Sequence, residues 1–222
     1  MLRLASSSPR RIQLLRLLQI PFESTAPSVD EGRFASPARA KADAVARPPD
    51  VTLAADTEID LDGERVGKPT DESHAIAMLA TLAGREHEVR TEVVVVGATG
   101  SRAQFAVRSR VTLRELSLRQ IERYVATGEP LDKAGGYAIQ VEGRRVVESY
   151  DGCLANIAGL PLCHVYFALR RVGAVPHERP EVVCQAHFDF ACPVWRAAQR
   201  QGRALRDSGE YRSWSEDVSG LE

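Results

Sequence analysis

The 222-residue sequence predicts a mixed α/β fold, in which helices flank a central mixed β-sheet of parallel and antiparallel strands. Short apolar or β-branched runs alternate with segments of helical periodicity along most of the chain. Several of the predicted strands are separated by turn signals short enough for hairpins, such as Asp62-Gly63. Hydrophobic residues make up 44% and charged residues 27%, which is ordinary for a globular protein that can bury one sizeable core.

The first elements begin with a short apolar strand from Leu2 that breaks into three serines. Pro9 then opens a helix, and Ser8 stands before it as a natural N-cap. A second strand is predicted over Gln19–Ala26, and an alanine-rich helix over Ala38–Ala46.

A buried strand is predicted over Val51–Ala55, and it delivers Asp56 and Thr57 where it leaves the core. The carboxyl end of a strand is where α/β folds place their chemistry. The remaining predicted elements are a helix over Asp71–Ala83, strands over Glu88–Val96 and Gln104–Leu113, a helix over Ser117–Thr127, a loop over Gly128–Tyr137, strands over Ala138–Val141 and Arg144–Tyr150, and helices over Pro161–Val172 and Pro193–Arg206.

Residues 1–173 are predicted to form the main domain, and residues 174–222 a polar C-terminal extension. The extension contains Cys184, His187 and Cys192, whose spacing loosely resembles a fragment of a zinc site. An ordinary helical or disordered extension is the default interpretation.

Composition excludes several classes of function. The net charge of -1 argues against a broad nucleic-acid surface, and no stretch approaches the roughly 18 apolar residues of a membrane span. The four cysteines have no framework spacing, which favours free thiols and a cytoplasmic protein.

The N-terminal loop predicts a phosphate site. Serine hydroxyls, the N–H groups of a helix N-terminus and the guanidinium groups of Arg10 and Arg11 would converge there, and all of them favour an anion. A capped surface helix with two solvated arginines is the alternative for this stretch alone. Elsewhere, carboxylates and lysines in loops and at strand ends suit a phosphate ester bound with a divalent metal such as Mg²⁺. The polar groups that could share such a site are Ser6 to Ser8, Arg10, Arg11, Glu31, Lys41, Asp56, Thr57, Lys68, Lys133 and Gln140.

Across residues 2–172 the sequence resembles the Maf family of nucleoside triphosphate pyrophosphatases. The matching segments appear in the family's order, and together they are far more specific than any one of them. They are Leu-Ala-Ser-Ser-Ser-Pro-Arg-Arg (4–11), Val-Asp-Glu (29–31), Ala-Lys-Ala (40–42), Ala-Asp-Thr (55–57), Gly-Lys-Pro (67–69), the long segment from Tyr124 to Gln140, and Gly-Leu-Pro-Leu (159–162).

The resemblance implies an inosine triphosphatase-like fold with two lobes around a cleft. It also implies a Mg²⁺-dependent hydrolase that cuts a nucleoside triphosphate between the α- and β-phosphates, and a homodimer. The residue roles that it implies are Asp56 as catalytic proton acceptor, Ser8, Arg10, Arg11, Lys41 and Lys68 as phosphate-binding residues, Glu31 and Asp56 as metal ligands, and Arg10, Thr57 and Gln140 as determinants of base specificity.

Thr57 and Gln140 match the dTTP/UTP branch of the family, whereas a 7-methyl-GTP branch has glutamine and glutamate at these positions. An amide offers one donor and one acceptor to a base, which suits the edge of uracil or thymine. We therefore expect dTTP, UTP and modified uridine triphosphates as substrates. The alternatives are a 7-methyl-GTP-type pyrophosphatase and a non-catalytic nucleotide-binding regulator of cell division. Val141 stands where the family usually has glycine, and the loop between Glu31 and Lys41 is short for the family.

Overall fold

The computed structural model describes residues 1–139, 145–205 and 210–212. Helices and strands alternate along the chain, as predicted. The strands are β1 (Leu2–Ala5), β2 (Phe22–Thr25), β3 (Val51–Leu61), β4 (Glu64–Val66), β5 (Glu86–Val96), β6 (Arg102–Leu113), β7 (Val147–Asp151) and β8 (Glu210–Arg212). The helices are α1 (Pro9–Leu17), α2 (Pro37–Val45), α3 (Glu72–Leu82), α4 (Leu118–Val125), α5 (Leu154–Ile157), α6 (Leu162–Arg171), α7 (Pro180–Phe188) and α8 (Trp195–Arg203).

The described strands form a single mixed sheet in the order β2-β1-β3-β5-β6-β7, to which β4 adds beside β3 and β8 beside β6. Strand β1 runs parallel to both β2 and β3. Strands β3, β5, β6 and β7 form an antiparallel ladder. The predicted fold class, a mixed sheet flanked by helices, is confirmed.

Apolar residues are buried on both faces of the sheet. The larger core packs leucine- and valine-rich positions of β3, β5 and β6 against α1, α3, α4 and α6. A smaller core on the other face joins Ala38 and Ala42 of α2 to Ala54 of β3 and Val94 of β5. Because these alanines have short side chains, α2 lies close against the sheet, and its single lysine is brought near the strands.

Strand β3 is longer than predicted, because β5 pairs with it from Thr52 opposite Val96 to Asp60 opposite Glu88. Asp56 and Thr57 therefore lie in the middle of the strand, and the prediction that they follow its end is wrong. Since successive side chains of a strand point to opposite faces, these two neighbours serve different sides of the sheet.

Local sequence signals placed one turn and the starts of two helices correctly. Asp62 and Gly63 form the turn between β3 and β4 with φ values of 56° and 88°. The Asp71 carboxylate accepts the backbone N–H of His74 at 2.8 Å, and Ser117 and Gln120 form a capping box on α4.

Other boundaries differ from the predictions. Strand β2 begins only at Phe22, because Gln19 closes α1 with a φ of 48°. Ala138 and Ile139 are not in a strand, and the rest of that predicted element, including Gln140 and Val141, lies outside the described residues. The predicted loop before them contains two short 3₁₀ turns, Glu129–Asp132 and Ala134–Gly136.

The predicted C-terminal helix corresponds to α8, whereas α7 was not predicted. Helix α8 packs closely on α6: a Cβ at Gly202 would lie 2.6 Å from Cδ2 of Phe167 and 3.3 Å from the carbonyl oxygen of Cys163. His164 of α6 is buried and contacts Oε1 of Gln201 through Nε2 at 3.2 Å. The described part of the extension therefore packs on the main domain, and the division at residue 173 stays a prediction. Among the described residues, no helix has the length and apolar character that crossing a membrane requires.

Gly135 is expected to be the least replaceable glycine in the turn that follows α4. Its φ is 71°, its N–H donates to the carbonyl oxygen of Gly67, and an added Cβ would lie 2.3 Å from Cδ1 of Ile59. Gly135→Ala should lower the free energy of unfolding by about 2–4 kcal/mol, since left-handed backbone and overpacking both oppose it. Urea denaturation measures this.

Gly63→Ala is the matched control, because its φ is also positive but no atom lies within 4 Å of an added Cβ. It should cost about 1–2 kcal/mol, the backbone contribution alone. Equal costs at both positions would contradict the packing argument.

Candidate active site

A cavity of about 250 Å³ lies beside the N-terminus of α1. It gathers nearly all the polar residues that were predicted to form a site. Its polar lining comprises Ser6, Ser7, Ser8, Arg10, Arg11, Glu31, Lys41, Thr57, Lys68, Asp132 and Lys133, and its other lining residues include Ile59, Val89, Tyr137, Ile139, Ile157, Ala158 and Gly159.

The serine loop between β1 and α1 forms one wall. Ser8 is the N-cap residue of α1, as predicted, but its side chain makes no capping bond; instead its N–H donates to Oγ of Ser6 at 3.1 Å. Pro9 occupies the first turn, and the following N–H groups have no partner within a helix. The wall therefore presents the donors that the anion-site prediction requires.

Arg10 and Arg11 place two positive charges in the same cavity, and both are partly buried. Burial lowers the pKa of each guanidinium group from its ordinary value; the carboxylates of Asp132 and Glu129 oppose this at Arg10. At Arg11, Asp56 opposes the shift and the neighbouring Arg10 adds to it. In the described part of the chain, no carboxylate lies within ion-pair distance of either arginine. An anion in the cavity would supply the missing charge.

A three-residue cluster joins α2, β3 and the 3₁₀ turn Glu31–Arg33. Nζ of Lys41 lies 2.7 Å from Oδ1 of Asp56 and 2.8 Å from Oε1 of Glu31. The Lys41 side chain is only 7% exposed, so its charge is held by these two carboxylates rather than by water. The short loop between Glu31 and Lys41 does not keep the two residues apart.

Asp56 is next to the cavity but is not among the residues that line it. It lies on the α2 side of β3, whereas Thr57 and Ile59 lie on the cavity side. Lys41 contacts Asp56 and lines the cavity, and thereby connects the two.

The two remaining lysines enter from loops. Lys68 follows β4 and lines the cavity, and the carbonyl oxygen of its neighbour Gly67 accepts the N–H of Gly135 at 2.9 Å. Nζ of Lys133 donates to the carbonyl oxygen of Glu129 and to Oδ1 of Asp132, each at 2.5 Å. Both loops are thus tied in place beside the arginines.

A buried chain of hydrogen bonds supports Arg11 and Thr57. Nη2 of Arg11 donates to Oγ1 of Thr57 at 3.0 Å, and its Nε donates to the carbonyl oxygen of Gly159 at 3.0 Å. Oγ1 of Thr57 lies 3.0 Å from Oγ1 of Thr91, which donates to the carbonyl oxygen of Asn156 at 3.0 Å.

Sequence reasoning missed Thr91, Glu92 and Asn156. The Glu92 carboxylate is 7% exposed and accepts from the hydroxyl of Ser36 and the amide of Gln104, so it holds the N-cap of α2 in place. The sequence did carry a signal for these residues: each is a polar residue within a run that is otherwise mostly apolar or β-branched. Gln140, predicted to contact the base, lies outside the described residues.

The four cysteines line a second, small cavity between α5, α6 and α7. Burial raises the pKa of Cys153 to about 12 and raises the pKa values of Cys163, Cys184 and Cys192, so these side chains stay protonated thiols at neutral pH. Among the described residues, no group of three or more histidine, cysteine or acidic side chains could hold a metal ion. The described residues therefore give no support to the zinc interpretation of Cys184, His187 and Cys192.

Fold and site together define a mixed α/β protein with a cavity lined by cationic side chains and bordered by a lysine-bridged pair of carboxylates. The Maf-like protein family model matches residues 1–172, and the chain belongs to that family.

Curated relatives match over nearly their whole lengths. A protein of Xanthomonas oryzae pv. oryzae is 45% identical over 190 residues, which cover 78% of this chain and 100% of the relative. A protein of Anaeromyxobacter dehalogenans is 43% identical over 190 residues, covering 80% and 97%. A protein of Dictyoglomus thermophilum is 41% identical over 183 residues, covering 77% and 95%. All three are named dTTP/UTP pyrophosphatase.

Buried histidines should make stability depend on pH. Nε2 of His87 lies 2.6 Å from the hydroxyl of cavity-lining Tyr137, and burial lowers the pKa of His87 to about 4, as it does that of His164. Between pH 6.5 and 4 the unfolded chain binds protons that the folded chain does not, so stability falls as the pH falls. Each histidine should contribute about 3 kcal/mol to this loss.

His87→Gln should reduce the loss of stability between pH 7 and pH 4.5, measured by urea denaturation at each pH. Gln retains a polar contact for Tyr137 but does not titrate. His74→Gln, at an exposed position, serves as the control. A pH dependence of His87→Gln that equals that of the unmodified protein would contradict the assignment.

Proposed function

We propose that this protein hydrolyses dTTP and UTP to the nucleoside monophosphate and pyrophosphate, and so removes these triphosphates and modified uridine triphosphates from the nucleotide pool. The observation that carries the proposal is the convergence of two arginines, the serine loop and three lysines on one cavity, beside the Asp56–Lys41–Glu31 cluster. The names of the relatives point to the same reaction.

Asp56 is the proposed proton acceptor for the attacking water. Its Oδ1 is held by Lys41, which fixes the carboxylate at the border of the cavity. A positioned base of this kind accelerates a reaction by about 10²–10⁴-fold. Ser8, Arg10, Arg11, Lys41 and Lys68 bind the phosphates and offset the charge that develops on the leaving pyrophosphate.

Glu31 and Asp56 fit the requirements of a Mg²⁺ site. Both carboxylates reach one buried point, now taken by the Lys41 ammonium, and Mg²⁺ commonly binds one or two carboxylates together with substrate phosphates and water. When bound, the metal would neutralise phosphate charge and acidify a coordinated water. The residues themselves place two hard anionic ligands beside the cationic wall.

The choice of base rests on Arg10, Thr57 and Gln140. Arg10 and Thr57 line the cavity, and Thr57 together with Ile59 marks its less polar end. Threonine at position 57 and glutamine at 140 favour the uracil or thymine edge over 7-methylguanine. A homodimer and a cytoplasmic location complete the proposal.

The alternative function is nucleotide binding without turnover, as a regulator of cell division. It needs the cationic cavity but not Asp56. The close association of Asp56 with Lys41 and Glu31 favours the enzyme, because it holds a proton acceptor beside the phosphate site, which binding alone does not require.

Purified protein with Mg²⁺ should release pyrophosphate selectively from dTTP and UTP in a panel that includes CTP, GTP, ATP and 7-methyl-GTP. Asp56→Asn should lower kcat by about 10²–10⁴-fold, because it removes the proton acceptor while keeping the side-chain shape. Asp60→Asn, on the same face of β3, is the control and should retain activity.

Faster turnover of 7-methyl-GTP would reject the dTTP/UTP branch. Tight nucleotide binding without pyrophosphate release would support the regulator instead.

Glu31→Gln should raise the Mg²⁺ concentration needed for half-maximal activity by about tenfold or more, since it removes one hard anionic ligand. Asp30→Asn is the matched control, because the adjacent Asp30 is exposed and pairs with Arg33 at 3.1 Å. A metal titration unchanged by Glu31→Gln would remove Glu31 from the proposed site.

A further inference from the structure

The surrounding hydrogen bonds assign the hydroxyl hydrogens of Thr57 and Thr91. Thr91 has one hydroxyl hydrogen, and it is donated to the carbonyl oxygen of Asn156, which can only accept. The 3.0 Å contact between the two threonine oxygens must therefore use the hydrogen of Thr57. Thr91 and Thr57 are direct cross-strand partners, so the pleat of the sheet maintains this arrangement.

Arg11 adds a second constraint on the same oxygen. A guanidinium group only donates, so its Nη2 contact at 3.0 Å occupies one lone pair of Thr57. With the hydrogen given to Thr91 and one lone pair given to Arg11, a single lone pair is left for a ligand. Thr57 lines the cavity, and this lone pair is all that its hydroxyl can still offer to a ligand there.

The acceptor of the Thr91 hydrogen is itself held firmly. The side-chain amide of Asn156 donates to the carbonyl oxygen of Val89 at 3.1 Å and to Oγ of Ser109 at 3.0 Å. Asn156 and Thr91 are both fully buried. Because α5 is tied to the sheet in this way, water cannot readily replace the carbonyl as the partner of Thr91.

Thr57 lies in the part of the cavity where we expect the nucleobase of the substrate. Ile59 and its cross-strand partner Val89 line the cavity next to Thr57, and Ile157 and Ala158 of the α5 segment lie beside them. The serines and the lysines line other parts of the same cavity. A planar base suits the apolar part and the phosphates suit the cationic part.

We infer that Thr91 is a positioning residue for base selection: it turns the Thr57 hydroxyl into an obligate acceptor, which selects a base with an N–H at N3. Uracil and thymine present that N–H, whereas cytosine presents a lone pair at N3 that would face the lone pair of Thr57. This inference rests on the proposed function and specifies how UTP and dTTP are separated from CTP.

The test compares kcat/KM for UTP and CTP. In the unmodified protein the value for CTP should be at least about tenfold lower than that for UTP, because a buried mismatch of this kind is costly. Thr91→Val keeps the shape of the side chain but frees the hydrogen of Thr57, which can then be donated to N3 of cytosine. The UTP-to-CTP ratio should fall by about tenfold or more.

Thr91→Ser preserves the hydroxyl and should preserve the ratio to within about twofold. Thr52→Val is a second control, because Thr52 is a buried threonine of β3, the strand that carries Thr57, and its hydroxyl has no partner in the described structure. A purely structural role for Thr91 would reduce turnover of both nucleotides alike and leave their ratio unchanged.

Two results would overturn the inference while leaving the pyrophosphatase in place. One is equal turnover of UTP and CTP by the unmodified protein, and the other is a folded Thr91→Val variant with an unchanged ratio. If that variant does not fold, inhibition of the unmodified protein by UMP and by CMP is compared instead. We expect CMP to inhibit much more weakly than UMP, and equal inhibition would contradict the inference. Absence of turnover on every triphosphate would instead reject the proposed function.

Discussion

The buried Lys41 ammonium is the interaction on which the candidate site depends. It holds Glu31, from a loop, and Asp56, from the middle of β3, to one point, and it also lines the cavity. Burying a lone ammonium would be prohibitive, so the lysine requires both carboxylates. They in turn would repel one another without it. The small side chains of α2 allow this arrangement, because they let the helix lie close enough to the sheet for Lys41 to reach Asp56.

Strand β3 shows how one element can separate two tasks. Its residues alternate between faces, so Asp56 contacts the lysine cluster while its neighbour Thr57 joins the network beneath the cavity. The proposed proton acceptor and the proposed specificity residue are neighbours in sequence and therefore lie on opposite faces of the sheet. The extended pairing with β5 keeps both positions in regular strand geometry.

Local chemistry made much of the fold predictable. Proline and serine at the start of α1, the Asp62-Gly63 turn and the caps of α3 and α4 are decided by residues near in sequence. The predicted end of β3 was wrong, because the length of this strand depends on its pairing with β5, about thirty residues away, and not on its own sequence. Helix α7 was missed because its apolar residues are not arranged with a clear helical period, although Pro180 opens it.

The site was predictable as a set of residue types but not as a geometry. Segments matching the family identified the arginines, the lysines and both carboxylates, and the structure brings them together. Thr91 and Asn156 could not be assigned a role, since their importance lies in which atom donates to which. That property depends on three elements meeting in space.

The paired arginines have a consequence for the lifetime of the protein. Arg10 and Arg11 are neighbours, both are partly shielded from water, and the charge of Arg10 helps to lower the pKa of Arg11. A bound polyphosphate relieves this repulsion, and any ligand that binds only the folded chain adds its binding free energy to folding stability. Proteases act on opened chains, so molecules loaded with nucleotide should survive longer than unloaded ones. Abundance would then follow the supply of the compounds that the cavity accepts, without any dedicated sensor.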